Sequence, residues 1–289
     1  MTLNEVKEQM VVVRSVGEFT NALQQIATLQ MMKLRTKVVA SRPFVEAASS
    51  MLLELSTLKN NLQAADLLAL ERKSKYKAKE AVGDKKAIIV ITSNAGLTGR
   101  YNQEIFTKME KVVAANEGAD FYVIGKKGQE YFGGRRFHLN RFPYQVPDNF
   151  TLDDIERLIK LFDYYPDITL VYSRYINSAT RDVVSVSVVK PELEMPPETA
   201  SNWKPPKYIF EPSIFELIDN ISTKLRGALF QQQLFDARLS QFAAQMVGMK
   251  TASDNSVGLL ADMQMEYNKQ RRKMIDKKIG EVFAGSALW

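Results

Sequence analysis

The sequence predicts an α/β protein in which N- and C-terminal helices pair as a long antiparallel coiled coil around an inserted Rossmann-like α/β domain. Three observations predict it. Proline is confined to the middle of the chain, an apolar repeat of 3.5 residues runs through the last third, and strand and helix patterns alternate in between. The corresponding domain limits are 1–80, 81–207 and 208–289.

Prolines fall at 43, 143, 147, 166, 191, 196, 197, 205, 206 and 212, so one lies within 1–142 and none within 213–289. Proline removes an amide donor and clashes with the preceding turn, so both ends are free to form long helices. In the first helix Val6, Met10, Val13 and Val16, then Phe19, Leu23 and Ile26, recur at spacings of three and four, as a partner-facing side should. Helical character extends to about residue 57, with a local kink at Pro43.

The middle of the chain reads as α/β. Lys86–Thr92 is a buried strand, followed by a glycine turn and a helix over 103–116. Phe121–Ile124 is a second strand and Lys126–Phe132 a short helix. Thr151, with Asp153 and Asp154 behind it, opens a helix to Phe162, because a threonine cap and acidic first turn suit a helix start. Ile168–Tyr172 and Val183–Val189 complete the strands, and strands alternating with helices imply a small, mostly parallel sheet. The proline-rich 191–207 leads back to the last helix.

That last helix carries the strongest signal. From Ile214, steps alternating between four and three pass through Leu225, Phe235, Leu239, Phe242, Met249, Ser256, Leu260 and Tyr267 to Lys277. Fourteen of the nineteen positions on this seam are apolar. Such a repeat means a left-handed coiled coil, and residues 213–284 as one helix would be about 108 Å long. The seam needs a partner helix, which the N-terminal segment supplies.

Composition narrows the chemistry. The 289 residues are 45% hydrophobic and 25% charged, ordinary values for a globular chain, and no window approaches 18 uninterrupted apolar residues. The first residues lack the features of a secretory signal or transit peptide. There is no cysteine, which excludes disulfides, thiolate metal sites and cysteine nucleophiles. The single histidine, His138, lies in an aromatic-basic stretch and reads as structural. Net charge is +6, compatible with nucleic acid, an anionic surface or an acidic protein partner.

Ser93–Asn102 follows a strand and precedes a helix, where phosphate loops sit. Gly96 and Gly99 satisfy neither phosphate-binding glycine pattern, so a tight turn is the better reading. Asp153 with Asp154, and Glu192 with Glu194, lack a basic partner nearby and fit a helix start and a linker. The run Lys269, Arg271, Arg272, Lys273, Lys277 and Lys278, opposed over that stretch by Asp276 alone, makes a positive collar near one end of the rod. A nucleic acid, solvent or an acidic protein ring would each account for it.

These motifs resemble the gamma subunit of F-type ATP synthases. Met249–Asn255, then Glu266-Tyr-Asn268, Arg271, Ile275 and Gly285, are similar in order and spacing to that family's C-terminal signature. Tyr208–Pro212 looks like the segment that opens this helix. Ser93, Gly96, Leu97, Gly99 and Asn102 match its loop after the first strand, Gly125–Gly128 with Phe132 its second-strand motif, and Arg42-Pro43-Phe44 its first-helix kink. The structural positions this marks are Gly96, Leu97, Gly99, Asn102, Asp254, Asn255, Tyr267 and Asn268.

The resemblance implies a shaft without catalytic, cofactor or metal site, standing inside a ring of three alpha and three beta subunits. The α/β domain would meet epsilon and the membrane c-ring, on the cytoplasmic face of a bacterial plasma membrane. Contacts with the alpha and beta ring are implied for Lys269, Arg271, Arg272 and Asp276. Arg271 and Arg272 would meet moving loops of beta, and Val282, Phe283 and Leu288 an apolar bearing. The chain departs from the family pattern at Gln30-Met-Met-Lys33, Asn94, Ala95, Gln241, Gln245, Arg272 and Lys278. These departures are expected on contact surfaces, and they raise as an alternative the shaft of a divergent rotary ATPase with a non-synthase task.

Overall fold

Three helices begin with a hydroxyl cap, reciprocal at the first two. The Thr2 amide donates to Glu5 Oε2 at 2.9 Å and the Glu5 amide to the Thr2 hydroxyl at 3.3 Å. Thr151 and Asp154 repeat the exchange at 2.8 and 3.4 Å, and the Ser213 hydroxyl accepts the Glu216 amide at 3.2 Å. Each pair satisfies amides that a helix start leaves without intrahelical partners. A computed structural model of the chain describes residues 2–61, 85–116, 118–133, 139–140, 146–147, 150–162, 165, 167–188 and 213–286. His138, both expected domain limits, the linker 191–207, Tyr208–Pro212 and Leu288 lie outside these residues.

The elements in chain order are α1 (Leu3–Asn61), β1 (Lys86–Ile91), α2 (Tyr101–Ala115), β2 (Asp120–Ile124), α3 (Lys126–Gly133), β3 (Leu139–Asn140), α4 (Leu152–Phe162), β4 (Asp167–Tyr175), β5 (Arg181–Ser187) and α5 (Ile214–Ser286). Helix α1 continues through Pro43, whose exposed position spares the seam. At 73 residues, α5 is about 110 Å long.

Helices α1 and α5 run antiparallel. A Cβ on Gly17 would meet Ser256 Cβ at 3.2 Å, Lys37 lies over the Phe235 ring at 5.5 Å, and Lys59 over Phe215 at 5.2 Å. As the number on α1 rises, that on α5 falls in step. The α5 seam follows the expected positions from Ile214 to Gln270, each buried or half-buried.

The α1 seam differs from expectation after Val13. It passes through Gly17, Thr20, Gln24 and Ala27 to Met31, Leu34 and Val38, leaving Val16, Phe19 and Ile26 exposed and Leu23 half-buried at its margin. The physical reason is close approach: opposite Ser256 the helices meet across small side chains, which rotates the bulkier apolar stripe outward.

The sheet order is β3-β2-β1-β4-β5, parallel except for β5 on the edge. One face, through Ile88 and Val90, packs on α2 with Phe132 of α3. The other, through Ala87, Ile89 and Ile91, packs on α4 and the coiled coil at Leu34, Phe230, Leu234 and Leu239. The rod is thus a layer of the domain, and α5 is buried on most sides between Leu234 and Ala244. Gln241, expected on a partner-contact surface, is 1% exposed inside this junction. Its Oε1 accepts from Arg238 Nη1 at 2.6 Å, which is why it turns inward.

Candidate functional site

The residues marked by the sequence gather in two places: the loop after β1 and the free end of α5. In the loop, Asn102 reaches back from the first turn of α2. Its oxygen accepts the Ser93 amide at 3.1 Å, while its nitrogen donates to the hydroxyls of Ser93 at 2.7 Å and Thr98 at 3.3 Å. Between them the backbone is left-handed at Leu97 (φ 63°) and Gly99 (φ 59°). Glycine adopts this freely, whereas Leu97 does so at a steric cost and presents an exposed side chain. A Cβ on Gly96 would meet nothing within 4 Å, so space does not demand glycine there.

A phosphate cradle needs amides aimed into an open crevice. Here the Ser93 amide is engaged by Asn102 and the Ser93 carbonyl accepts the Lys127 amide at 3.1 Å. The crevice at the carboxyl edge of β1 and β4 is filled by α5, where Arg238 Nη1 donates to the Thr92 carbonyl at 3.2 Å. The loop braces the rod.

At the other place, register explains exposure. With Gly17 opposite Ser256, the first turn of α1 lies beside residues near 270, and beyond it α5 has no neighbouring helix among the described residues. Tyr267 and Asn268 are half-buried beside that first turn. Every residue from Arg271 to Ala284 is exposed. Residues 271–286 therefore extend about 24 Å beyond any neighbouring helix among the described residues. Farther back, Asp254 and Asn255 are exposed on the paired rod.

This end segment has two surfaces. Lys269, Arg271, Arg272, Lys273, Lys277 and Lys278 are spread around the helix with Asp276 among them, all exposed. Lys277 pairs with Glu281 at 3.8 Å, a solvated contact that neutralises little. Ile275, Ile279, Val282 and Phe283 stand at i, i+4, i+7 and i+8, hence on one side of the helix. Val282 and Phe283 are 71% and 70% exposed, although such a stripe ordinarily covers another surface.

Two groups at the junction are perturbed by burial. Burial pushes the Asp236 carboxyl up to about 6, against the Tyr175 amide and the charges of Arg174 and Arg42, which favour ionisation. Burial also raises the Tyr172 phenol, with the Asp236 charge adding to it. Sequence reasoning missed this junction and its buried Arg238. The available signal was the small-residue content of Ala237, Ser240, Ala243 and Ala244, wider around the helix than a two-stranded seam requires.

A family model described as ATP synthase matches residues 2–288. The ATP synthase gamma chain of Halothermothrix orenii is 25% identical over 301 aligned positions, covering 99% of this chain and 98% of the relative. That of Stenotrophomonas maltophilia is 27% identical over 293, covering 98% of each. Among solved structures, the rotor of the Euglena gracilis mitochondrial ATP synthase has a TM-score of 0.55 at 18% identity, covering 94% of this chain and 98% of that one. The central stalk and c-ring structure from Tetrahymena thermophila gives 0.54 at 16%, covering 81% and 99%.

Proposed function

The chain belongs to the ATP synthase family, and we propose on that premise that it is the gamma-type central shaft, carrying rotation between the membrane c-ring and the catalytic beta subunits. The observation that carries this reading is the lone end of α5, a basic collar followed by a one-sided apolar stripe with no helix beside it among the described residues. A helix end of that kind suits a socket with an acidic rim and an apolar floor.

On this reading three alpha and three beta subunits surround the coiled coil. The α/β domain, built onto the opposite half of the rod, meets epsilon and the c-ring. The shaft acts by shape: a stiff, asymmetric element that touches each beta subunit differently biases it among states of unequal nucleotide affinity, and the coupling is reciprocal. It contributes no catalytic group, and its association with the membrane is peripheral, through its partners, on the cytoplasmic face of a bacterial plasma membrane. Lys269, Arg271, Arg272 and Asp276 form the collar facing the ring, Arg271 and Arg272 toward the moving loops of beta. Val282, Phe283 and Leu288 belong to the bearing. The exposed stripe of Val16, Phe19 and Ile26 gives α1 a second surface for the ring.

Reconstitution tests the reading. The purified chain mixed with its own alpha and beta subunits should give a complex of three, three and one that hydrolyses ATP and turns a bead fixed to the α/β domain. Alpha and beta left unassembled would refute it.

A further inference from the structure

Strand order reverses between β1 and β4, and in open α/β sheets the crevice at such a point usually takes a ligand. Here α5 occupies it with polar groups. Arg238, 0% exposed, donates through Nη1 to the Thr92 carbonyl at 3.2 Å and to Gln241 Oε1 at 2.6 Å. The buried Tyr101 hydroxyl, from the first residue of α2, donates to the Ala237 carbonyl at 3.1 Å. Ser240 Oγ lies 2.9 Å from Ser173 Oγ of β4, both buried. Within five consecutive residues, α5 is tied to three separate parts of the domain.

Apolar packing tolerates small rotations of a helix, but hydrogen bonds do not. A turn of about 20° moves the Arg238 guanidinium, at a radius of roughly 5–6 Å, by about 2 Å, beyond hydrogen-bonding range, whereas the Ala237 carbonyl, close to the helix cylinder, moves by less than about 1 Å and resists sliding instead. Three ties on different sides of α5 leave neither rotation nor sliding free of loss. Because these groups are shielded from water, a broken tie is not replaced by a solvent bond.

We propose that Arg238, with Tyr101 and Ser240, is a torsional latch that fixes α5 about its own axis against the α/β domain and passes torque between them. The assignment rests on the shaft reading and makes Arg238 a positioning residue. Helix α1 covers one side of α5, and the three ties act on the sides that face the α/β domain. Gln241 serves the latch by accepting the guanidinium.

The test uses the whole assembled complex. The chain has no cysteine, so Lys111→Cys on the exposed side of α2 gives a single attachment point for a bead, with the alpha and beta ring fixed to the surface. Angular fluctuations during catalytic dwells report torsional stiffness. Arg238→Met combined with Tyr101→Phe keeps volume and removes the bonds. The expected result is a larger angular variance, up to about threefold since two of three ties of comparable strength are removed, with assembly and unloaded ATPase retained. Arg238→Lys, which keeps a donor, should recover most of the stiffness, a rescue that a purely packing role would not produce. If the double variant fails to fold, Tyr101→Phe with Ser240→Ala puts the same question with smaller changes. Unchanged variance in an assembled complex overturns the latch alone. Failure of the unmodified chain to assemble overturns the shaft reading, and the latch with it.

Discussion

Thr92 is the residue on which the carboxyl edge of the sheet converges. Its amide and hydroxyl both donate to the Ile124 carbonyl at 2.8 Å, and its hydroxyl accepts the Gly128 amide at 3.1 Å. Gly128 has to be glycine because a Cβ there would lie 2.5 Å from Val123 Cγ1 and 2.6 Å from the Thr92 hydroxyl. Gly125, at φ +107°, meets the same residue in a backbone region that glycine alone enters readily. Gly128→Ala should lower stability by about 1–3 kcal/mol through overpacking, read as a reduced midpoint in urea unfolding. Asp236 supplies a pH dependence. Its carboxyl is raised from 3.8 to about 6 in the folded chain, chiefly by burial, so the native state binds the proton more tightly than the unfolded state does. Its contribution is therefore most favourable below about pH 4 and is lost as pH rises through 6. Asp236→Asn should raise the melting temperature at pH 7–8 and flatten the slope between pH 4 and 6. An unchanged slope in a thermal scan series would locate the titration elsewhere.

Among the elements, α1 shows what periodicity can and cannot decide. Two adjacent stripes, Val16-Phe19-Leu23-Ile26 and Gly17-Thr20-Gln24-Ala27, have the same spacing, and hydrophobicity favours the first. The structure buries the second, because the small groups at Gly17 and Ser256 allow the helix axes to approach. Gly17→Leu should force the helices apart and cost about 1–3 kcal/mol in the isolated chain. Phe19→Ser, at a position 61% exposed, should leave isolated-chain stability within about 0.5 kcal/mol. It should weaken assembly with alpha and beta, measured by the concentration of chain needed for half-maximal complex formation. The last helix was legible almost throughout, because its seam is both apolar and regular. The seam departs from expectation only at Met274 and Lys277, beyond the first turn of α1, while the burial of Arg238 and Gln241 on the same helix was not legible.

For the whole molecule, the antiparallel register decides that one end of the rod has no helix beside it among the described residues. Arg271→Ala with Arg272→Ala removes two exposed cations that make no intramolecular ion pair among the described residues. Stability of the isolated chain should change by less than about 0.5 kcal/mol. In the assembled complex, turnover or stall torque should fall and become less sensitive to salt, as expected for charges acting across an interface. Loss of folding instead would assign those side chains a structural role. The wider organisation, two terminal helices embracing an α/β sheet, was readable from the chain alone. The buried junction that joins them was not, since its hydrogen bonds link residues 67 to 146 positions apart.

What the sequence determined by itself is whatever local chemistry repeats along the chain: proline-free ends, a 3.5-residue seam, capped helix starts and alternating strands, together with motifs similar to one family. Backbone geometry enforces those patterns one turn or one pleat at a time, so they can be read in one dimension. Tertiary structure alone decided which stripe of α1 faces inward, that Gln241 lies within the molecule, and that Arg238 fills the crevice between β1 and β4. Each of these outcomes depends on side-chain size and hydrogen-bond geometry between segments distant in sequence, and no periodicity encodes a distance.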